Sequence, residues 1–178
     1  MGAEIMSGPA SKGPGLRPFL PDDAPLLAEI FRASIEDLTG EDYGEAQQEA
    51  WAALADDEDA FAARLASMLT LVATVGGRPA GFAALKGADE IEMLYVHPAM
   101  GRRGVATLLV DALEKLAGAR GAAKLKVAAS DSAEAFFAAR GYVPQQRLTR
   151  PLADEWLGAT LMDKALPAST SPRTGGRA

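Results

Sequence analysis

The stretch from Glu90 to Leu116, EIEMLYVHPAMGRRGVATLLVDALEKL, limits the fold more than any other part of the chain. A strand-like run, Glu90 to Val96, ends at Pro98, and the turn Gly101-Arg102-Arg103-Gly104 feeds a helix expected over Arg103 to Ala117. In that helix Val105, Leu108, Leu109, Ala112, Leu113 and Leu116 recur at i, i+3, i+4 spacing, so one apolar face must pack on a sheet. Gly118 and Gly121 are expected to end it, and Lys124 to Ala129 (KLKVAA) then alternates as a strand with Leu125, Val127 and Ala129 on one side. Strand, helix, strand in this order implies a parallel neighbour for the first strand.

The turn has a chemistry of its own. Backbone N–H groups of Gly101, Arg102, Arg103 and Gly104, delivered to a helix start, combine unsatisfied donors with the positive end of the helix dipole. Arg102 and Arg103 add fixed charge that grips phosphate in a fork. The spacing is neither GxxxxGK followed by Ser or Thr nor GxGxxG, and an Arg-Gly turn opening a surface helix is the plain alternative.

Composition removes several other chemistries. There is no cysteine, which excludes disulfides, thiolate metal sites and a cysteine nucleophile. The single histidine, His97, makes a histidine metal cluster an unsuitable reading, and its place before Pro98 suits a loop residue better than a catalytic one. A net charge of −6 disfavours nucleic acid as a partner. No apolar run reaches the length of a membrane span and the first residues lack the order of a secretory signal, so no membrane partner is expected and a cytoplasmic location is the default.

Taken in order, residues 1–15 read as a disordered leader, 16–166 as one domain and 167–178 as a disordered tail. Leu16 to Leu20 is a short strand, and Asp22 or Asp23 caps a helix carrying Leu27, Ile30, Phe31, Ser34 and Leu38. After a break at Thr39 to Gly44 come a helix from about Glu45 to Ala55 and another introduced by Asp56, Asp57 and Asp59. Thr70 to Val75, the turn Gly76-Gly77 and Pro79 to Leu85 read as a hairpin. Beyond the Lys124 strand, a helix from Asp131 to Arg140 is capped at Ser130 or Asp131 and stopped by Gly141. Val143 to Arg150 and Ala159 to Lys164 form a last antiparallel pair joined by Pro151 to Gly158.

Gly101-Arg102-Arg103-Gly104-Val105-Ala106 resembles the coenzyme A loop of the GNAT superfamily of N-acetyltransferases: Gln or Arg, two residues, Gly, one residue, then Gly or Ala. Gly104 and Ala106 match, and Gly101 departs from the expected Gln or Arg. A second family pattern, Asn, Ala, Tyr, Gly and an aromatic or apolar residue at fixed spacing, falls on Ser130, Ala133, Phe137, Gly141 and Tyr142. LYVHPAMGRRGVATLL with AASDSAEAFFAARGY is similar to a bacterial branch called YafP-like, where Ser and Phe also occupy those positions. The resemblance covers roughly residues 16–166 and implies an α/β fold with a mixed, mostly antiparallel sheet whose fourth and fifth strands splay apart.

The resemblance further implies acetyl-CoA as co-substrate, with no metal, and transfer of its acetyl group to a primary amine of a small molecule by direct attack in a ternary complex. A homodimer is compatible with it. Backbone groups of Leu94 and Val96 would pair with the pantetheine arm, and the loop Gly101, Arg102, Arg103, Gly104, Val105 and Ala106 would hold the pyrophosphate; Tyr95, Thr107, Ser130 and Phe137 would complete the cofactor contacts. An acceptor amine must shed a proton, and Glu92 is the candidate base, with Glu90 beside it on a strand face shared with Leu94 and Val96. Many family members place a Tyr as general acid where Phe137 stands, so acid catalysis must come from elsewhere, from water, or not at all. Ser130 and Ser132 are the nearest hydroxyls by sequence, and Tyr142 reads as core packing. Acceptor contacts are expected from Leu38 to Trp51 and Leu148 to Gly158, where Glu41, Asp42, Tyr43, Glu45, Trp51, Asp154, Glu155 and Trp156 would favour a cationic amine. A catalytically weak acyl-CoA-binding module and a protein-lysine acetyltransferase stand as alternatives.

Overall fold

The computed structural model describes residues 13–168; most of the expected leader and tail, residues 1–12 and 169–178, lies outside them. Among the described residues seven strands form one sheet: β1 (Gly15–Pro18), β2 (Leu69–Val75), β3 (Arg78–Lys86), β4 (Glu90–Val96), β5 (Lys124–Ser130), β6 (Val143–Leu152) and β7 (Glu155–Ala165). They lie in the order β1-β2-β3-β4-β5-β7-β6, and every neighbouring pair is antiparallel except β4 and β5. Helices α1 (Ala24–Leu38), α2 (Glu45–Ala52) and α3 (Glu58–Ala66) pack on one face, and α4 (Val105–Ala119) and α5 (Glu134–Ala139) on the other. This is the expected mixed sheet with diverging fourth and fifth strands.

Strand alternation sorts two cores. Ala83 and Leu85 of β3 join Val105, Leu109 and Leu113 of α4, while Phe82 and Ala84 join Leu27, Phe31 and Phe61. β4 breaks the alternation at one residue. Ala84 pairs with Met93 and Leu85 with Ile91, which leaves Glu92 as a bulge. Ile91 therefore lies in the α4 core and Met93 in the α1–α3 core, although an unbroken strand would put both on one face. The expected face shared by Glu90, Glu92, Leu94 and Val96 is corrected accordingly: Leu94 and Val96 pack toward α4, and Glu92 turns toward α3, where Arg64 meets it.

The bulge also sends β4 away from β5. Parallel pairing is confined to Glu90 with Lys126 and Ile91 with Val127, whereas β5 pairs with β7 from Lys124 to Ser130. The His97 N–H donates to the Ala80 carbonyl at 2.9 Å, which directs the backbone groups of Met93 and Tyr95 toward β3. Those of Leu94 and Val96 consequently face the opening.

Several boundaries differ from expectation. α4 starts at Val105, because Gly104 stands at φ 74° as its cap, and it runs through Gly118, since one helical glycine costs only about 1 kcal/mol. Gly121, at φ 87°, follows its end. Asp23 does not cap α1 through its side chain; the carboxylate accepts from the Leu20 N–H at 2.8 Å and pairs with Arg17 at 2.7 Å. α5 starts later than expected, with Ala133 at the cap position, and neither Ser130 nor Asp131 caps it: Ser130 ends β5 and the Asp131 carboxylate is held by Arg147. The last hairpin is longer, with Ala153 and Asp154 as its turn and Ala153 at φ 51°. Pro151 is tolerated because β6 is an outer strand.

Gly81 lets α4 approach the sheet. A Cβ there would meet the Tyr95 carbonyl oxygen and Val105 Cγ1 at 2.9 Å each. Gly81→Ala is expected to lower stability by about 1–3 kcal/mol, read by urea denaturation.

Candidate active site

Two cavities meet at the bulge. The first, about 250 Å³, lies in the opening between β4 and β5, against Leu94, Val96, Ala106, Ala129 and Phe137. The second, also about 250 Å³, lies on the α1–α3 side beneath the β6–β7 hairpin, against Tyr43, Arg64, Arg150, Leu152 and Leu157. Trp51, Glu92, Met93, Tyr95, Ala128 and Ser130 line both. The wall between them is therefore narrow and carries Glu92.

At the outer end of the first cavity stands the glycine loop. The Gly101 N–H, expected among the loop's free donors, instead donates to the Pro98 carbonyl at 3.2 Å, which closes a short helical turn over Pro98–Met100. Arg102 at φ 61° and Gly104 at φ 74° are both left-handed, a geometry that turns successive N–H groups to one side. Leu108 makes the first helical bond, to the Gly104 carbonyl at 2.9 Å, so the N–H groups of Val105, Ala106 and Thr107 are left without helical acceptors. The donor set thus shifts toward the helix, and the side chains of Arg102 and Arg103 are exposed beside it. Val105 is buried and anchors the helix start on the sheet.

Glu92 is held from one side. Its Oε1 accepts from Arg64 Nη2 at 2.9 Å, and among the described residues its other oxygen has no protein donor. The Glu92 side chain is 15% exposed and that of Arg64 is 40% exposed, so the pair sits at the boundary between core and solvent. Glu90 lines neither cavity; it pairs across the sheet with Lys86 and Lys126 in the closed part of the strands. Tyr95, expected beside Leu94 and Val96, packs its ring on Phe31 and Phe82 at 4.6 and 5.6 Å between centroids. Its hydroxyl accepts from Trp51 Nε1 at 3.2 Å. Burial pushes the Tyr95 phenol up to about 12, against the opposing pull of Arg64 and Arg150, so it stays protonated at any working pH.

The hydroxyls fall into different roles. Phe137 is buried on the first cavity and has no proton to give; Tyr142 packs 5.1 Å from it and donates to Glu114 at 3.0 Å, as a core residue would. Ser130 lines both cavities and Ser132 donates to Asp42 at 2.7 Å. His97 Nδ1 accepts from the Ala99 N–H at 3.1 Å, a turn contact in line with its expected loop role.

A clamp walls the second cavity. Tyr43 donates to the Gly158 carbonyl at 2.6 Å and accepts from the Asp131 N–H at 2.8 Å, while the Asp131 carboxylate pairs with Arg147. Gln47 donates to the Trp156 carbonyl at 2.7 Å. Tyr43 and Trp51 line the cavity, whereas Glu41, Asp42, Glu45, Asp154, Glu155 and Trp156 line neither cavity. They stand on turns, on the first helical turn of α2 and on the outer hairpin, where charge keeps its water. The charged residues that do line the second cavity beside Glu92 are Arg64 and Arg150, neither of them expected from the sequence. Helical spacing offers one signal for Arg64, which lies three residues from Phe61 and next to Leu65, both buried. Arg150 has no comparable signal.

Comparison with known proteins places this geometry. The family model described as an acetyltransferase (GNAT) domain matches residues 39–166. The uncharacterised N-acetyltransferase YafP of Escherichia coli (strain K12) is 33% identical over 135 residues, 75% of this chain and 85% of that protein. A crystal structure of a GCN5-related N-acetyltransferase (aminotransferase, class-II) from Rhodopseudomonas palustris has 59% identity and a TM-score of 0.86, covering 90% of this chain and 100% of that one. The PaiA N-acetyltransferase of Thermoplasma acidophilum, solved in complex with coenzyme A, shares the fold at a TM-score of 0.71 and 17% identity, over 86% and 99% of the two chains.

The clamp gives a test of the site's frame. Tyr43→Phe leaves the Gly158 carbonyl and the Asp131 N–H without their partner, and a loss of about 1–3 kcal/mol is expected in urea denaturation, with faster amide exchange at Asp131.

Proposed function

This chain belongs to the acetyltransferase (GNAT) family, and from that premise we propose that it moves the acetyl group of acetyl-CoA to a primary amine of a small molecule, by direct attack in a ternary complex. The observation that carries the reading is the meeting of two cavities at Glu92; on this reading one takes the thioester and the other the acceptor, so that the reacting groups meet across one side chain.

The chain's own groups fit coenzyme A. A slot bordered by a strand edge suits an arm with amides, because Leu94 and Val96 offer backbone donors and acceptors as a missing strand would. The loop from Arg102 to Thr107, with its unbonded N–H groups and two exposed guanidinium groups, suits a pyrophosphate. Bound acetyl-CoA supplies an acetyl thioester, a group already activated toward amines.

Glu92 serves as the base. Arg64 holds one carboxylate oxygen in place, and the other is left to accept a proton from the acceptor's ammonium, directly or through one water. A gap-facing N–H of β4 at Leu94 or Val96 is aimed to stabilise charge on a carbonyl oxygen. No side-chain acid is required for departure, since a thiol of cysteine-like pKa, about 8.5, leaves as thiolate. Tyr95 keeps its proton and acts as a fixed dipole at the wall. Holding both reactants in line contributes much of the acceleration. A second reading, a weakly catalytic acyl-CoA-binding module, is favoured by Phe137 alone. The walled second cavity suits a small acceptor better than a lysine on a protein surface.

The test follows free thiol after mixing the protein with acetyl-CoA and a panel of amines. Amine-dependent release is expected, and Glu92→Gln should slow it by about 10²–10⁴-fold with acetyl-CoA binding unchanged. Thermal stabilisation by acetyl-CoA without thiol release from any amine would favour the binding module, and a full rate for Glu92→Gln at every pH would remove Glu92 as base. Because burial raises the Tyr95 pKa, Tyr95→Phe should leave the shape of the pH–rate profile unchanged below about pH 10.

A further inference from the structure

We propose that the acceptor amine also carries an oxoanion, carboxylate or phosphate, and that Arg150 reads it in the second cavity; the inference rests on the acetyl-transfer reading for assigning that cavity to the acceptor. The lining decides the point. Glu92 is the only carboxylate among the described residues that line the cavity, and it faces two guanidinium groups, Arg64 and Arg150. Arg64 is matched to Glu92. Arg150 forms no ion pair or side-chain hydrogen bond among the described residues, and the carboxylate of Asp131, whose backbone bonds Tyr43, is already taken by Arg147.

A simple cationic amine fits such a lining poorly. It would meet one attractive group and two repulsive ones. An amine with an oxoanion satisfies both ends: the ammonium lies at Glu92, and the oxoanion accepts a fork of hydrogen bonds from Arg150. Both guanidinium groups border the cavity that the half-buried Tyr95 also lines. Arg150 is itself exposed, and it keeps its hydration until a ligand arrives, which spares the free protein a buried unpaired charge. Its position is fixed by pairing with Leu157, next to the Gly158 carbonyl that Tyr43 holds. Leu54, Leu152 and Leu157 supply an apolar wall. The acceptor class is thus a compact amine with an apolar body and one oxoanionic group.

The test measures binding rather than turnover. The protein saturated with coenzyme A is titrated calorimetrically with matched amines: one bearing a carboxylate, one a phosphate, and a counterpart with the group removed or amidated. The oxoanionic member is expected to bind at least about tenfold more tightly, and the better of carboxylate and phosphate identifies the group read. In Arg150→Ala the preference should fall below about threefold while thermal stabilisation by acetyl-CoA stays at the wild-type value, and Arg150→Lys should recover part of it. Equal or tighter binding of the counterpart lacking the oxoanion, absence of binding by every oxoanionic member, or an unchanged preference in Arg150→Ala overturns the inference. A retained preference with no thiol release would sink acetyl transfer and leave this recognition site standing. Thiol release only from amines lacking an oxoanion would do the reverse.

Discussion

One extra residue in β4 governs the rest of the molecule. With Glu92 unpaired against β3, the strand changes phase: Ile91 belongs to one core and Met93 to the other, and the backbone groups that would have bonded β5 are left facing an opening. The same bulge turns Glu92 toward α3 and away from the face of Leu94 and Val96. The opening between β4 and β5, the place of Glu92 and the second cavity are thus consequences of one register shift.

An opened sheet leaves backbone polar groups unpaired, which is unfavourable unless water or a ligand satisfies them. Its surroundings keep it from closing. Gly81 admits the start of α4 against β3 and β4, so the helix lies directly over the divergent strand. On the other side β5 is committed to β7 over its whole length, and the Tyr43 clamp ties the α1–α2 connection to the end of β5 and to β7. Two rigid half-sheets remain, joined only by the short pairing at Glu90 and Ile91. A site held on strands and helices in this way orders its groups before the reactants arrive.

Much of this frame was legible in the sequence, because its signals are local. The i, i+3, i+4 pattern of α4 required a sheet, the KLKVAA alternation marked a strand, the strand-helix-strand order implied a parallel partner for β4, and glycine punctuation marked the loop. The bulge was not legible: EIEMLYV is apolar enough to satisfy either face, and the phase is decided by two cores that meet the strand from opposite sides. The acidic residues Glu41, Asp42, Glu45, Asp154 and Glu155 line neither cavity, although their segments also carry Tyr43 and Trp51, because closeness in sequence does not set which way a side chain on a turn points. Arg64 and Arg150 come together from α3 and β6, and nothing in their own neighbourhoods joins them.

The phase of β4 is the claim most directly open to measurement, by residue-resolved amide hydrogen exchange with and without coenzyme A. In the free protein the N–H groups of Met93 and Tyr95, bonded to β3, should exchange slowly and those of Leu94 and Val96 quickly. On adding coenzyme A, Leu94 and Val96 should become protected together with the loop from Arg102 to Thr107. Slow exchange at Leu94 and Val96 in the free protein, or no change there when coenzyme A binds, would contradict the account.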